Sequence, residues 1–353
     1  MEKQSMSGPG CNQDGPNVET TIMVEGAAEK MKAVVVHQPG GPEVLKLEER
    51  LRPRPSPGWV LVRIRAFGLN RAELFTRNGD SGDAVKFPRI IGIECVGEVV
   101  EDPDGEFSAG QTVAAMMGGM GRDFDGSYAE YSLLPHSCII PINTTLPWEN
   151  LGAIPEMFQT ALGSLRIALN VQSGKTILIR GGTSSVGLTS ITLARDMGLK
   201  VLATTRNPQR QSLLEENGAH EVWIDSDGEL SDRIRQKHPG GLDYVLELLG
   251  TKTLNDSLSI IKNPGGICCM TGILGGSWEL NGWNPMEHLW NGKYLTAYSG
   301  EGMDQKDLQY VIDGVQEGRI RLNTDRVFAL DQIQEAHKYM EANQATGKCV
   351  VLI

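Results

Sequence analysis

Cysteine is sparse in this chain of 353 residues: Cys11, Cys95, Cys138, Cys268, Cys269 and Cys349 form no C-x-x-C pair and no even framework. That excludes a disulfide-stapled scaffold and points to reduced thiols in a cytoplasmic setting. Long apolar runs are missing too. Nothing approaches the roughly 20 residues of a membrane-spanning helix, so no membrane partner is expected. Positive charge is in deficit, with 33 Lys and Arg against 44 Asp and Glu and a net charge of −11, and no basic stripe offsets it. A nucleic-acid partner is therefore not expected. Residues 1–30 lack periodicity, the apolar core of a signal peptide and the Arg-rich pattern of a transit peptide, and are expected to form a disordered extension. What remains is 22% charged and 40% hydrophobic, and long enough for two domains that act on small molecules.

The most informative segment present is Thr176 to Lys200, TILIRGGTSSVGLTSITLARDMGLK. It reads as an apolar strand, a glycine-rich turn and an amphipathic helix, the order that builds a dinucleotide site. The turn must bend sharply and then present free N–H groups at a helix N-terminus, where the dipole favours a pyrophosphate. Gly181 and Gly182 permit the bend, and Gly187 allows close packing of helix on strand. The expected contacts are Gly181, Gly182, Thr183, Ser184, Ser185, Val186 and Gly187. As G-x-G-x-x-G the run is imperfect, because Ser184 stands where the second glycine belongs. A second strand, Lys200 to Thr205, follows at the right distance, with further apolar runs at 243–249 and 266–273.

Cofactor choice is read about 20 residues beyond the turn, where NAD enzymes place an acid on the ribose and NADP enzymes an Arg on the 2′-phosphate. Here Thr205, Arg206, Asn207 and Arg210 occupy the strand end, with no acid before Glu215. A guanidinium fork matches a phosphate, so NADPH is the expected cofactor.

Elsewhere, Lys32 to Val36, Trp59 to Ala66, Gly92 to Glu101 and Gln111 to Met117 are short apolar segments punctuated by Pro and Gly, a β-rich half. From about 156 to 296, strands alternate with helices in the doubly wound pattern. A helix near Asp331 to Ala342 and a strand Lys348 to Ile353 close the chain. The segment Lys293 to Tyr298 reads as an edge strand that invites pairing with a second copy, so a homodimer is expected.

Several strings sharpen the picture: Gly40-Gly41-Pro42-Glu43-Val44-Leu45, Gly68-Leu69-Asn70-Arg71-Ala72-Glu73, Gly126-Ser127-Tyr128-Ala129-Glu130-Tyr131, Ala153-Ile154-Pro155-Glu156 and Gln334-Glu335-Ala336-His337. With these, residues 31–353 resemble the medium-chain dehydrogenase/reductase superfamily, in its zinc-free quinone oxidoreductase (zeta-crystallin-like) branch. The resemblance implies an α/β fold in which a Rossmann doubly wound parallel sheet, residues 156–296, is inserted in a β-rich GroES-like catalytic domain, residues 31–155 plus 297–353. The active site would lie in the cleft between them.

Zinc-dependent members of that superfamily place ligands where this chain has Asn70 and Ile93, and an alkyl side chain cannot ligate zinc. No cysteine lies between Cys95 and Cys138, so a four-cysteine structural lobe is absent as well, and no metal is expected. Without a Lewis acid, a quinone or enone is the natural hydride acceptor, since a hydrogen-bond donor suffices to polarise it. Asn70 is the candidate catalytic donor, to the ribose and nicotinamide or to the substrate oxygen. Zeta-crystallin-like members carry a Tyr five residues later, where this chain has Phe75. Thr160 matches a position that faces the nicotinamide ribose in the family. Gly250, Gly272 and Ile273 lie in strand-end turns that should border the nicotinamide. Lys348 is a candidate for cofactor phosphate.

The expected activity is NADPH-dependent, zinc-independent hydride transfer to quinones or α,β-unsaturated carbonyls. Two alternatives stand beside it: an enoyl reductase on a carrier-bound chain, and a non-catalytic NADPH-binding protein, which Phe75 favours.

Overall fold

A computed structural model describes residues 29–227, 230–277, 279–300 and 303–353. The expected disordered extension, residues 1–30, lies outside them except for Glu29 and Lys30. The chain opens with β1 (Lys30–Val36), β2 (Leu45–Leu51), β3 (Trp59–Gly68) and a short helix α1 (Arg71–Asn78). Strands β4 (Arg89–Ile90), β5 (Glu94–Glu101), β6 (Thr112–Met116), β7 (Tyr131–Pro135) and β8 (Ile139–Pro141) complete this β-rich part. Helices α2 (Trp148–Leu151) and α3 (Pro155–Gly163) lead out of it.

An alternating segment follows: β9 (Thr176–Arg180), α4 (Ser185–Asp196), β10 (Lys200–Thr205), α5 (Gln211–Glu216), β11 (Glu221–Ile224), α6 (Ser231–Lys237) and β12 (Tyr244–Glu247). It continues through α7 (Thr251–Ile260), β13 (Ile267–Met270), α8 (Pro285–His288) and β14 (Tyr294–Ala297). Then come α9 (Gln305–Gln316), β15 (Thr324–Ala329), α10 (Ile333–Glu341) and β16 (Lys348–Leu352).

The six alternating strands form one parallel sheet in the order β11-β10-β9-β12-β13-β14, the doubly wound arrangement whose carboxyl edge holds ligands. Its central strands are buried on both faces, as the continuous apolar runs Ile177-Leu178-Ile179 and Val201-Leu202-Ala203 require. The N-terminal part forms a seven-stranded sheet beside a small three-stranded one, with β15 and β16 joining the larger through β3. This is the α/β, GroES-like plus Rossmann fold the sequence implies.

The expected junction at 296/297 coincides with the end of β14, but α9 beyond it still packs on α3. Leu308, Val311 and Ile312 of α9 share a core with Ile177 and Ile179 of β9. That core also contains Ala66, Val96 and Ala114 from the larger N-terminal sheet, with Phe158 of α3 among them. Helix α3 is thus clamped between both halves. No helix among the described residues is long and apolar enough to cross a membrane.

Candidate active site

The turn after β9 is made by backbone. Gly181 takes φ +89, the left-handed region, and a Cβ on Gly187 would lie 2.4 Å from the Gly181 carbonyl oxygen. Ser184, the residue that breaks the glycine pattern, caps α4: its Oγ accepts from the Gly187 N–H at 3.0 Å. The departure from G-x-G-x-x-G is therefore a helix cap. Among the described residues the N–H groups of Ser185 and Val186 have no acceptor, and Thr183 to Val186 are half-buried. These two donors at the positive end of a twelve-residue helix fit a pyrophosphate.

At the end of β10, Thr205 and Asn207 brace each other: the Asn207 N–H donates to Thr205 Oγ1 at 3.1 Å. Arg206 is exposed and Arg210 half-exposed, and neither meets a carboxylate among the described residues. Gly250 and Gly272 pack their turns together, with Ile273 between, at the carboxyl ends of β12 and β13. Glu247 shapes the first of these turns by accepting from the N–H groups of Leu249 at 2.7 Å and Gly250 at 3.2 Å. Beneath the sheet edge, buried Arg180 ties the end of β9 to Asp225 at 2.9 Å and to Asp256 of α7 at 2.6 Å. Sequence reasoning missed this brace, since nothing local marks an arginine at a strand end as buried.

The second part of the site is made by side chains. Lys348 of β16, 2% exposed, donates from Nζ to Glu94 Oε1 at 2.6 Å and to Asn70 Oδ1 at 2.5 Å, and lies 3.7 Å from Glu156 Oε2. Asn70 Nδ2 donates to Glu94 Oε1 at 2.9 Å and to Glu73 Oε1 at 3.3 Å. The Asn70 backbone N–H adds a bond to Glu73 Oε2 at 2.7 Å, so Glu73 holds the first turn of α1. Glu94 Oε2 accepts from the Glu156 N–H at 2.8 Å, fixing the start of α3. Gly68 makes room, because a Cβ there would fall 2.3 Å from Lys348 Cε and 2.5 Å from Glu94 Oε1.

Burial raises the Glu73 carboxyl to about 7, with Lys348 opposing and Glu94 adding to the rise. Burial also raises Glu156 above the ordinary carboxylate range against the pull of Lys348. Burial would lower Lys348, but Glu94 and Glu156 together lift it above its usual value, so it stays an ammonium.

Two residues expected to meet ligands have protein partners instead. Lys348 is 2% exposed, with its ammonium between Glu94 and Glu156. Both N–H groups of Asn70 point at Glu73 and Glu94 and its oxygen at Lys348, so the amide offers no spare donor to a substrate. Glu73 and Glu156 were missed although both stood in recognised strings; the one available signal was the Asn-x-x-Glu spacing of a helix start. Thr160 is half-buried one turn beyond Glu156, to which its hydroxyl donates at 2.9 Å. Phe75 is 36% exposed on α1.

The donor set does not fit a zinc ion. Ile93 is an alkyl group, 4% exposed, and a permanent ammonium sits at the centre of the available oxygens. Among the described residues the one group of three metal-ligating side chains in mutual reach is Asp102, Asp104 and His136. It stands beyond the far end of β5 from Glu94.

Two family models match the chain, "Alcohol dehydrogenase GroES-like domain" over residues 56–144 and "Zinc-binding dehydrogenase" over residues 217–351. A quinone oxidoreductase of Sus scrofa is 28% identical, covering 92% of this chain and 98% of its own. A 2-haloacrylate reductase of a Burkholderia species is 26% identical over 91% and 98%. Among solved structures, mycobacterial Rv1454c complexed with NADPH superposes with a TM-score of 0.79 at 24% identity, covering 92% of this chain and 100% of that one.

Proposed function

Because the chain belongs to the medium-chain dehydrogenase/reductase superfamily, in its quinone oxidoreductase branch, we propose that it transfers hydride from NADPH, without zinc, to quinones or α,β-unsaturated carbonyls. A nicotinamide-dependent oxidoreductase is the settled part of that statement. The finer part rests on one observation above the rest: an ammonium, Lys348, holds the centre of the oxygen cluster beside α3, where a Lewis acid would have to sit. An acceptor that needs no metal activation suits such a site.

The bound nicotinamide would supply the hydride. Ser185 and Val186 N–H groups and the α4 dipole would hold its pyrophosphate, Arg206 and Arg210 its 2′-phosphate, and the paired turns at Gly250 and Gly272 would border its ring. Thr160, half-buried on α3, would face the ribose. The 2-haloacrylate reductase relative acts, by its name, on a conjugated acid, which supports an activated alkene as acceptor.

NADPH oxidation measured with p-benzoquinone, cyclohexenone and an enoyl thioester tests the reading. Turnover of the first two with metal-free protein is expected, and little oxidation of simple alcohols. Stoichiometric zinc needed for activity would overturn the zinc-free claim. NADPH binding without turnover of any acceptor would make the chain a binding protein, and preference for the thioester would make it a carrier-linked enoyl reductase.

A homodimer belongs to the same proposal. β14 is the free edge of the parallel sheet, and Tyr294 on it is 58% exposed. Light scattering should give twice 38.4 kDa. The five described cysteines are buried, in keeping with a cytoplasmic location.

A further inference from the structure

Conjugate reduction needs a proton as well as a hydride, and the expected donor, Asn70, is committed elsewhere. Three carboxylates stand in the Lys348 cluster. Glu94 on β5 is 0% exposed and Glu73 on α1 1%, whereas the Glu156 side chain keeps 17% of its surface open. Glu156 also begins a polar ladder. It shares one face of α3 with Thr160 at i+4, and Ser164, the residue directly after the helix, continues the row at i+8. The Thr160 hydroxyl donates to Glu156 Oε1 at 2.9 Å, Ser164 Oγ donates to the Thr160 carbonyl at 2.7 Å, and Ser164 Oγ meets Thr271 Oγ1 at 2.8 Å. Thr271 directly follows β13, on the carboxyl edge of the parallel sheet where the cofactor ring belongs. The row therefore runs from the charge cluster to the nicotinamide side, and Glu156 is its one ionisable member.

We propose that Glu156 is the general acid of the reaction, the group that gives the reduced substrate its proton. The proposal rests on the hydride-transfer reading above. When hydride from the cofactor adds to the β-carbon of an enone, the C=C electron pair moves to form the enolate. The Glu156 O–H bond then breaks, its proton goes to the α-carbon, and its electron pair stays as carboxylate. The cofactor is oxidised, the enone is reduced to the saturated ketone, and Glu156 regains a proton from solvent at its open side. Lys348, 3.7 Å away, and the Thr160 hydroxyl stabilise the carboxylate left behind. Burial, which keeps the group protonated higher in pH than an ordinary Glu, prepares it for this part. The charged groups that face it are Glu94 from β5, Lys348 from β16 and, behind them, Glu73 from α1.

The test compares wild type with Glu156→Gln and Glu156→Asp, using NADPH with cyclohexenone and with p-benzoquinone, whose hydroquinone product takes its protons on oxygen directly from water. In Glu156→Gln, kcat for the enone should fall about 100-fold or more, the scale of a lost general acid, while benzoquinone turnover falls far less. The alkaline limb of the enone pH profile should disappear, and Glu156→Asp should recover part of the rate. NADPH titration of the same variants checks that the fold is intact. If Glu156→Gln binds NADPH poorly, Thr160→Val replaces it, and a shift of the alkaline limb is the expected result. Enone turnover in Glu156→Gln within threefold of wild type with an unchanged pH profile overturns the proposal. Wild-type protein that reduces neither acceptor overturns the hydride-transfer reading itself, a different outcome from the variant's failure alone.

Discussion

The two halves of the site are built from opposite materials. Seven consecutive residues, Gly181 to Gly187, make the glycine-rich turn proposed for the pyrophosphate, and what it offers is backbone N–H donors and a helix dipole. The charge cluster draws Asn70 and Glu73 from α1 and the residue before it, Glu94 from β5, Glu156 from α3 and Lys348 from β16, and its recognition groups are all side chains. A backbone site tolerates changed side chains so long as the path is free, which is how Ser184 can replace a glycine and become a cap. A side-chain cluster has less latitude, because Lys348 is the one cation that its buried carboxyl groups share, and the backbone bonds to Glu73 and Glu94 supply no charge.

The sharpest way to break this comparison is to remove the one cation from the cluster. Lys348→Met leaves Glu94 without its 2.6 Å ammonium partner and should cost about 3–5 kcal/mol in urea unfolding, the penalty for stranding a buried charge. Adding Glu94→Gln should restore part of the loss. A single variant as stable as wild type would show that the carboxylates are neutral or hydrated.

Next in size is a pH effect confined to the cluster. Glu73 sits at about 7 in the folded chain against 4.5 unfolded, so the folded form holds its proton more tightly. Its contribution is fully present below pH 4.5 and is lost as pH rises to 7, then stays constant; the total is about 3 kcal/mol at 1.36 kcal/mol per unit. Stability of Glu73→Gln measured across that window should fall less than wild type by this amount. Parallel curves would place the titration elsewhere.

The smallest expected effect sharpens the other half. Arg206→Ala should weaken NADPH by about 1.5–3 kcal/mol, the loss of a charged hydrogen bond, and leave NADH nearly untouched. Equal losses for both cofactors in calorimetric titration would remove Arg206 from the 2′-phosphate.

Legibility in the sequence divides along the same line. β10 runs from Lys200 to Thr205, as its residues predict, and the helix expected at Asp331 to Ala342 is α10, Ile333–Glu341, entered through a tight turn at Leu330–Gln332. These elements are set by local periodicity. The bend and cap of the glycine-rich turn were legible for the same reason: every residue that shapes them lies within one short stretch. The partners of Lys348 were not legible, because a lysine's surroundings are not encoded beside it. Its partners stand far off at 70, 94 and 156, and only the pairing of β16 with β3 brings them together. The exposed strand at Tyr294–Ala297 was readable, since an edge strand's composition is local even when its neighbours are not.

The bond between Lys348 and Asn70 spans 278 residues of chain, and that separation sets an order on synthesis. At about 5–20 residues per second, a ribosome takes roughly 14 to 56 s to travel from one to the other. Throughout that interval the entire inserted parallel sheet is made and free to fold, while the strands around Glu94 wait with their closing strand undelivered. The nascent N-terminal half therefore carries an unfilled slot beside β3 and, in Glu94, a carboxyl group lacking its ammonium. The half that emerges first is the half that finishes last.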